Sequence, residues 1–145
     1  MKILNKVVIG MASLCLLTAC GPSKCDYAKF HSEAVKAQEK DPGYTKVTAK
    51  GEIKSTLLSA TVDAVLEKKN GEWELTKGDA LSAVTLVTFV AATADTVPED
   101  SESTYYCGNG FKVTKGENVA NYNASGYLTS IKESGGTSLK FSYSK

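Results

Sequence analysis

Short alternating runs of apolar and polar residues, separated at regular intervals by glycine and asparagine, constrain this chain more than any other feature. From Thr104 onward the clusters Cys107-Gly108-Asn109-Gly110, Lys115-Gly116-Glu117-Asn118, Asn123-Ala124-Ser125-Gly126 and Ser134-Gly135-Gly136-Thr137 divide the chain into short segments. Glycine enters left-handed backbone without steric cost and asparagine tolerates it, so each cluster reverses the chain, while period-two alternation turns one side of each segment towards a core. The expected result is an antiparallel meander at the C-terminal end. The same pattern occurs upstream. Val47, Ala49, Gly51 and Ile53 alternate with Lys46, Thr48, Lys50, Glu52 and Lys54, and Leu58, Ala60, Val62, Ala64 and Leu66 continue the alternation. Asn70-Gly71 then predicts a tight hairpin with Trp73 and Leu75 on its return strand.

Two segments follow a different rule. Tyr27, Phe30, Ala34 and Ala37 recur at helical spacing, Asp26 stands where an N-cap belongs, and Asp41-Pro42-Gly43 ends the pattern. The run from Ala80 to Ala92 is the most apolar part of the chain beyond residue 20, and it alternates at neither period. Its length and the neighbouring Asp79 favour a buried helix ending before Pro98, whereas its β-branched residues favour a strand; the helix is the expectation. Leu81, Val84, Leu86, Val87, Phe89 and Val90 are its core or lid residues. The acidic stretch Glu99-Asp100-Ser101-Glu102-Ser103 reads as an exposed loop. The fold class is therefore expected to be α+β: an N-terminal helix and a second apolar helix packed on a curved antiparallel sheet that ends in the meander.

The 145 residues, 42% hydrophobic and 23% charged, suit one folded domain. All 17 basic residues are lysines, set against 16 acidic residues for a net charge of +1. Without a basic excess there is little counterion release to drive binding to a phosphate backbone, so no nucleic-acid partner is expected. Without arginine there is no guanidinium fork for bidentate capture of phosphate or carboxylate.

The first twenty residues have three parts. Lys2 and Lys6 make a positive start, Val7 to Leu17 make an apolar run too short to span a bilayer permanently, and Leu17-Thr18-Ala19-Cys20 follows. This ending resembles the lipobox of bacterial lipoproteins, a likeness confined to residues 1–21. The resemblance implies cleavage between Ala19 and Cys20, with residues 1–19 removed as a signal peptide. It also implies a diacylglyceryl group on the Cys20 thiol, so that residues 20–25 are a short lipidated tether and residues 26–145 a single domain. Two or three acyl chains anchor a protein stably where one does so marginally. The expected location is extracytoplasmic, lipid-anchored to the bacterial cell membrane, with the outer membrane open to it if the host has one; Gly21 after the cysteine, rather than Asp, marks no inner-membrane retention. Processing would leave 15 lysines against 16 acids, a charge of −1.

On that reading Cys15 leaves with the signal and Cys20 carries lipid, so Cys25 and Cys107 remain in an oxidising space. A disulfide between them is expected; the alternative is two unpaired thiols packed as small apolar groups.

No catalytic constellation stands out. A serine elbow needs Gly-x-Ser-x-Gly and a zinc protease helix needs two histidines, whereas His31 is the sole histidine. Neither a cofactor nor a metal is expected, and His31 reads as a surface or packing residue. Gly108 and Gly110 belong to a hairpin, and Glu72 and Glu74, beside an exposed turn, read as solvated charge. Tyr105, Tyr106, Tyr122, Tyr127 and Tyr143 could line a sugar or peptide groove, but a sheet cover with hydroxyls satisfied at its rim is the preferred reading. The expected function is a non-catalytic structural or protein-interaction role at the cell envelope. The architecture also looks like that of LolA-type and LppX-type lipid carriers, which implies as the alternative a carrier of lipid or another apolar ligand, with residues 80–92 as its lid.

Overall fold

The computed structural model describes residues 21–79, 86, 87, 89, 90 and 92–145. The proposed signal segment 1–19, the Ala19–Cys20 cleavage position, Cys20 itself, Leu81 and Val84 lie outside the described residues.

The strand β1 (Ser23–Cys25) is followed by helix α1 (Tyr27–Gln38), then β2 (Lys46–Lys54), β3 (Ser59–Lys69) and β4 (Glu72–Lys77). The second half contains β5 (Thr104–Gly108), β6 (Gly110–Lys115), β7 (Asn118–Tyr122), β8 (Leu128–Lys132) and β9 (Ser138–Ser144). The nine strands among the described residues form one sheet in the order β1-β5-β6-β7-β8-β9-β2-β3-β4, and each neighbouring pair runs antiparallel. The described residues are thus β-rich, with α1 beside one large antiparallel sheet, which matches the two-helix α+β expectation in part. Leu86, Val87, Phe89 and Val90 have helical backbone, so the second apolar helix is seen at those four positions only. Residues 23–25, expected as part of a tether, instead have their backbone groups paired on β5.

Local chemistry explains the elements. The Asp26 carboxylate accepts a hydrogen bond from the Lys29 backbone N–H at 2.7 Å, which satisfies one of the orphan donors at the start of α1. Phe30 and Ala34, one turn apart, are the helix residues buried against the sheet. Lys69 faces Glu72 across a two-residue turn in which Asn70 and Gly71 have φ of 53° and 86°, the left-handed pair that matches strand twist. Leu58 departs from the expected alternation: it belongs to the β2–β3 turn and is exposed, whereas Val62, Ala64 and Leu66 are buried as the pattern requires.

Strand pairing carries one row of apolar positions across seven strands: Tyr105, Val113, Ala120, Ile131, Leu139, Gly51 and Val62 stand opposite one another in turn. Paired residues share a face, so this row defines the inner face of the sheet. Gly51 sits where β2 and β9 approach too closely for a side chain. A Cβ there would fall on the Ser138 carbonyl oxygen and lie 2.9 Å from the Leu139 Cα. The adjacent row, Lys24, Tyr106, Lys112, Asn121, Ser130, Lys140, Lys50 and Asp63, is polar and belongs to the outer face.

The inner face is covered in two places. Val47, Ala49, Leu66, Leu139 and Phe141 pack with Leu86 and Val90, while Tyr105, Cys107 and Phe111 pack with Phe30, Ala34 and Ala94. Tyr122 touches both clusters.

Thr137, 3% exposed, joins the two halves of the chain. Its hydroxyl accepts from the Lys54 N–H at 2.9 Å and donates to the Lys54 carbonyl at 3.0 Å. Thr137→Val removes both bonds and leaves two backbone groups unsatisfied, an expected loss of about 1–3 kcal/mol in urea unfolding. Thr137→Ser, which keeps the hydroxyl, should recover most of it. Equal losses for the two variants would assign the effect to packing.

Candidate functional site

Cys25 and Cys107 are joined by a disulfide, with Cα atoms 6.1 Å apart and a separation of 82 positions in sequence. The pairing of Ser23 with Cys107 and of Cys25 with Tyr105 sets the two cysteines diagonally across β1 and β5. The chain therefore enters the fold along a sheet edge, three positions after Cys20, and is bonded to the buried side of that edge almost at once.

Beside this edge opens a cleft of about 440 Å³, lined by Lys24, Asp26, Tyr27, Asp100, Ser101 and Tyr105 among others. Its floor is held by tyrosine hydroxyls. Tyr27 donates to the Val97 carbonyl at 2.9 Å, and Tyr105 donates to the Pro98 carbonyl at 3.0 Å while accepting from the Asp100 N–H at 2.8 Å. Lys115 closes on Asp100 at 2.6 Å and on Glu102 at 3.5 Å. The Lys115 ammonium, and after it the Glu102 N–H, hold the Asp100 carboxyl below its ordinary pKa; the same pairing raises that of Lys115. The acidic loop is thus tied to β6 by its own charges.

The five meander tyrosines do not line one groove. Tyr105 faces α1, whereas the next residue, Tyr106, lies on the outer face with the Lys112 ammonium 4.8 Å from its ring centre. Tyr127 and Tyr143 form an aromatic cluster with Tyr44, a residue that sequence reasoning passed over, at ring separations of 5.2–5.3 Å. Tyr143 donates to the Leu128 carbonyl at 2.7 Å, and Tyr127 donates to the Asp41 carboxylate. Asp41 also accepts from the Gly43 N–H at 2.9 Å; this bond first, then Tyr127 and the charge of Lys68, lowers its pKa. The Asp41-Pro42-Gly43 signal that stops α1 was legible as a turn. Its second use, as acceptor for a tyrosine far along the chain, had no local signature.

A third feature is an open apolar hollow of about 140 Å³ on the inner face, between the two packed clusters. Val97, Val113, Ala120, Tyr122 and Ile131 line it, with Lys115 and Glu133 among its remaining neighbours. Of the expected lid or core residues, Leu86 and Val90 are buried in the first cluster, Phe89 is half-buried with its ring 6.1 Å from that of Phe141, and Val87 is exposed. None of these four lines the hollow.

His31 is exposed on α1 and stacks 5.7 Å from Tyr27. Glu72 and Glu74 are exposed on β4, where Glu74 pairs with Lys69 at 3.5 Å. Among the described residues no group of three or more His, Cys, Asp or Glu side chains gathers to hold a metal ion. Comparison of the chain with protein-family models, curated proteins and solved structures finds no match.

Proposed function

We propose that the protein is a lipid-anchored extracytoplasmic lipoprotein, attached to the membrane through Cys20, whose disulfide-stapled sheet serves a non-catalytic structural or protein-interaction role at the cell envelope. The observation that carries this reading is the Cys25–Cys107 bond. Structural disulfides belong to oxidising compartments, which is where the export segment and lipobox-like ending would deliver the chain. The bond also suits an anchor. With the attachment point three residues before β1, a pull on the lipid is taken by the bridge to β5 rather than by three pairs of strand residues alone. Among the described residues no helix is long and apolar enough to cross a membrane, and the attachment proposed here is covalent lipid.

The test is metabolic labelling of cells expressing the full chain with an alkyne fatty acid. The wild-type protein should be labelled and held in the membrane fraction. Cys20→Ala should lose the label and accumulate as the uncleaved precursor. Equal labelling of the two would end the lipoprotein reading.

The alternative, a carrier of lipid or another apolar ligand, draws on the inner-face hollow. Its volume of about 140 Å³ is small beside the ~300–1,000 Å³ of pockets that enclose drug-sized ligands. It resembles in size a cavity that accepts a single benzene ring. Organic extraction and mass spectrometry of a purified Cys20→Ser form lacking residues 1–19 separate the readings: co-purifying lipid would favour the carrier.

A further inference from the structure

We infer that the outer face of β1 and β5–β9 docks on the anionic headgroups of the membrane that holds Cys20, and that a hollow between β7, β8 and β9 receives a lipid phosphate there. The inference rests on the lipid-anchor reading above and adds how the anchored domain lies on its membrane.

Strands β1 and β5–β9 contain no aspartate or glutamate at any position. The pairing register puts Lys24, Lys112, Lys132 and Lys140 on their outer face. Lys24, Lys132 and Lys140 are exposed, Lys112 is half-buried over the Tyr106 ring, and none of the four has a carboxylate partner among the described residues. Glu52, opposite Ser138 on β2, is itself held by Lys54 at 3.3 Å. Between β7, β8 and β9 the face dips into a hollow of about 240 Å³, lined by Asn121, Ser130, Lys132, Ser138 and Lys140 among others. Lys132 and Lys140 stand diagonally across β8 and β9. Asn121 Nδ2 donates to Ser130 Oγ at 3.0 Å, which leaves the Ser130 O–H to donate elsewhere. Two ammonium groups with hydroxyl donors and no carboxylate line this hollow, a set that selects an anionic group.

The other side of the sheet has the opposite charge. The segment from Ala94 to Ser103 packs on the inner face through Ala94 and Val97, and it holds Asp95, Glu99, Asp100 and Glu102 without a lysine. On the outer face, acids gather at β3 and β4 as Asp63, Glu67, Glu72 and Glu74, along the edge farthest from β1. An anionic surface therefore attracts the anchored half of the outer face and repels the inner side. On the anchor reading, a bilayer with anionic lipids is the surface always within reach. Cys20 lies three positions before Ser23, at most about 10 Å of extended chain, so a lipid on Cys20 keeps the β1 edge at the bilayer. β9 is five strand spacings from β1, roughly 24 Å. A sheet lying flat brings Lys132 and Lys140 to the headgroups, whereas an upright sheet leaves them beyond the ~8 Å reach of charge in physiological salt. Once the lipid is inserted, the lysines meet the surface at high effective concentration, so a few of them suffice.

The experiment takes the protein purified from cells expressing the full chain and reconstitutes it in vesicles of phosphatidylcholine, or of phosphatidylcholine mixed with phosphatidylglycerol. Lysines are then footprinted with an amine-acetylating reagent and read by mass spectrometry. In the phosphatidylglycerol vesicles Lys112, Lys132 and Lys140 should acetylate about fivefold more slowly than in phosphatidylcholine, while Lys29 and Lys36 on α1 keep their rates. Raised salt should remove the difference. Lys132→Gln combined with Lys140→Gln should abolish the protection of Lys112 and leave the melting midpoint unchanged, since both side chains are exposed. Equal rates in the two kinds of vesicle would overturn the docking, and so would protection by soluble inorganic polyphosphate with none from the vesicles. The mass of the same sample reports the lipid on Cys20. A lipidated chain with unprotected lysines overturns the docking alone, whereas a chain without lipid overturns the anchor reading and the docking with it.

Discussion

Replacing Cys25 with serine and Cys107 with alanine should destabilise the domain by about 4 kcal/mol and lower its melting midpoint by about 15 °C. The bridge closes a sequence separation of 82 residues, which encloses α1, β2, β3 and β4, so it removes loop-closure freedom from most of the denatured chain. The native state is affected too. β1 has three residues, all paired with β5 and none with any other strand. Without the bond, that edge is held by a few hydrogen bonds from three residues that are exposed or half-buried, and should open locally before the rest of the sheet. Urea unfolding gives the global loss. Hydrogen exchange gives the local one, with Ser23–Cys25 and Tyr105–Cys107 amides losing protection far beyond those of β2 and β9. A loss below about 1 kcal/mol would show that the long-loop entropy is not realised, because the denatured chain is already compact. Wild-type exchange at β1 in the double variant would show that the strand does not depend on its bond.

How much of this could be read from sequence depended on the range over which each feature is decided. α1 was legible because its signals are local: the Asp26 cap, the spacing of Phe30 and Ala34, and the Pro42-Gly43 stop. The Asn70-Gly71 turn and the meander strands were legible for the same reason. The pairing of β2 with β9 was not, since it joins residues about ninety positions apart and depends on Gly51 allowing close approach to Leu139. β1 was missed because three residues, Ser23-Lys24-Cys25, carry no period at all. Cysteine arithmetic identified its one long-range contact but not the strand that comes with it. The Tyr44–Tyr127–Tyr143 cluster was half legible: two of its members were noticed on their strands, while Tyr44 and Asp41 lie in a loop whose partners are chosen by the fold.

Above pH 10 the domain should lose stability as pH rises, through three tyrosines. Burial pushes the Tyr122 hydroxyl up to about 12. Burial again, then the hydrogen bond to Asp41 and the charge of that carboxylate, raises Tyr127 above its ordinary value; burial and the neighbouring Tyr127 and Tyr44 raise Tyr143. Each folded pKa lies above the unfolded value of 10.0, so the unfolded chain sheds these protons first. The contribution is therefore complete below pH 10 and is lost as pH climbs through the folded values, by about 1 kcal/mol per unit at most for each group and less for the coupled Tyr127 and Tyr143. Against a total of roughly 5–15 kcal/mol, unfolding should be well advanced near pH 12. The expected observation is a cooperative rise in tyrosinate absorbance that coincides with loss of the sheet signal in circular dichroism. Tyr122→Phe keeps the ring in the gap between the two packed clusters and should reduce the slope by about a third at little cost near neutral pH. Asp41 works with the opposite sign: its lowered pKa favours the fold above the ordinary carboxylate range and loses that effect in acid, weakly, because the carboxylate is exposed. A smooth tyrosinate rise from pH 10 with the sheet signal intact at pH 12 would mean that water already reaches these rings. The inner face would then be a groove rather than a core, and the ligand-carrier reading would gain the space that a 140 Å³ hollow denies it.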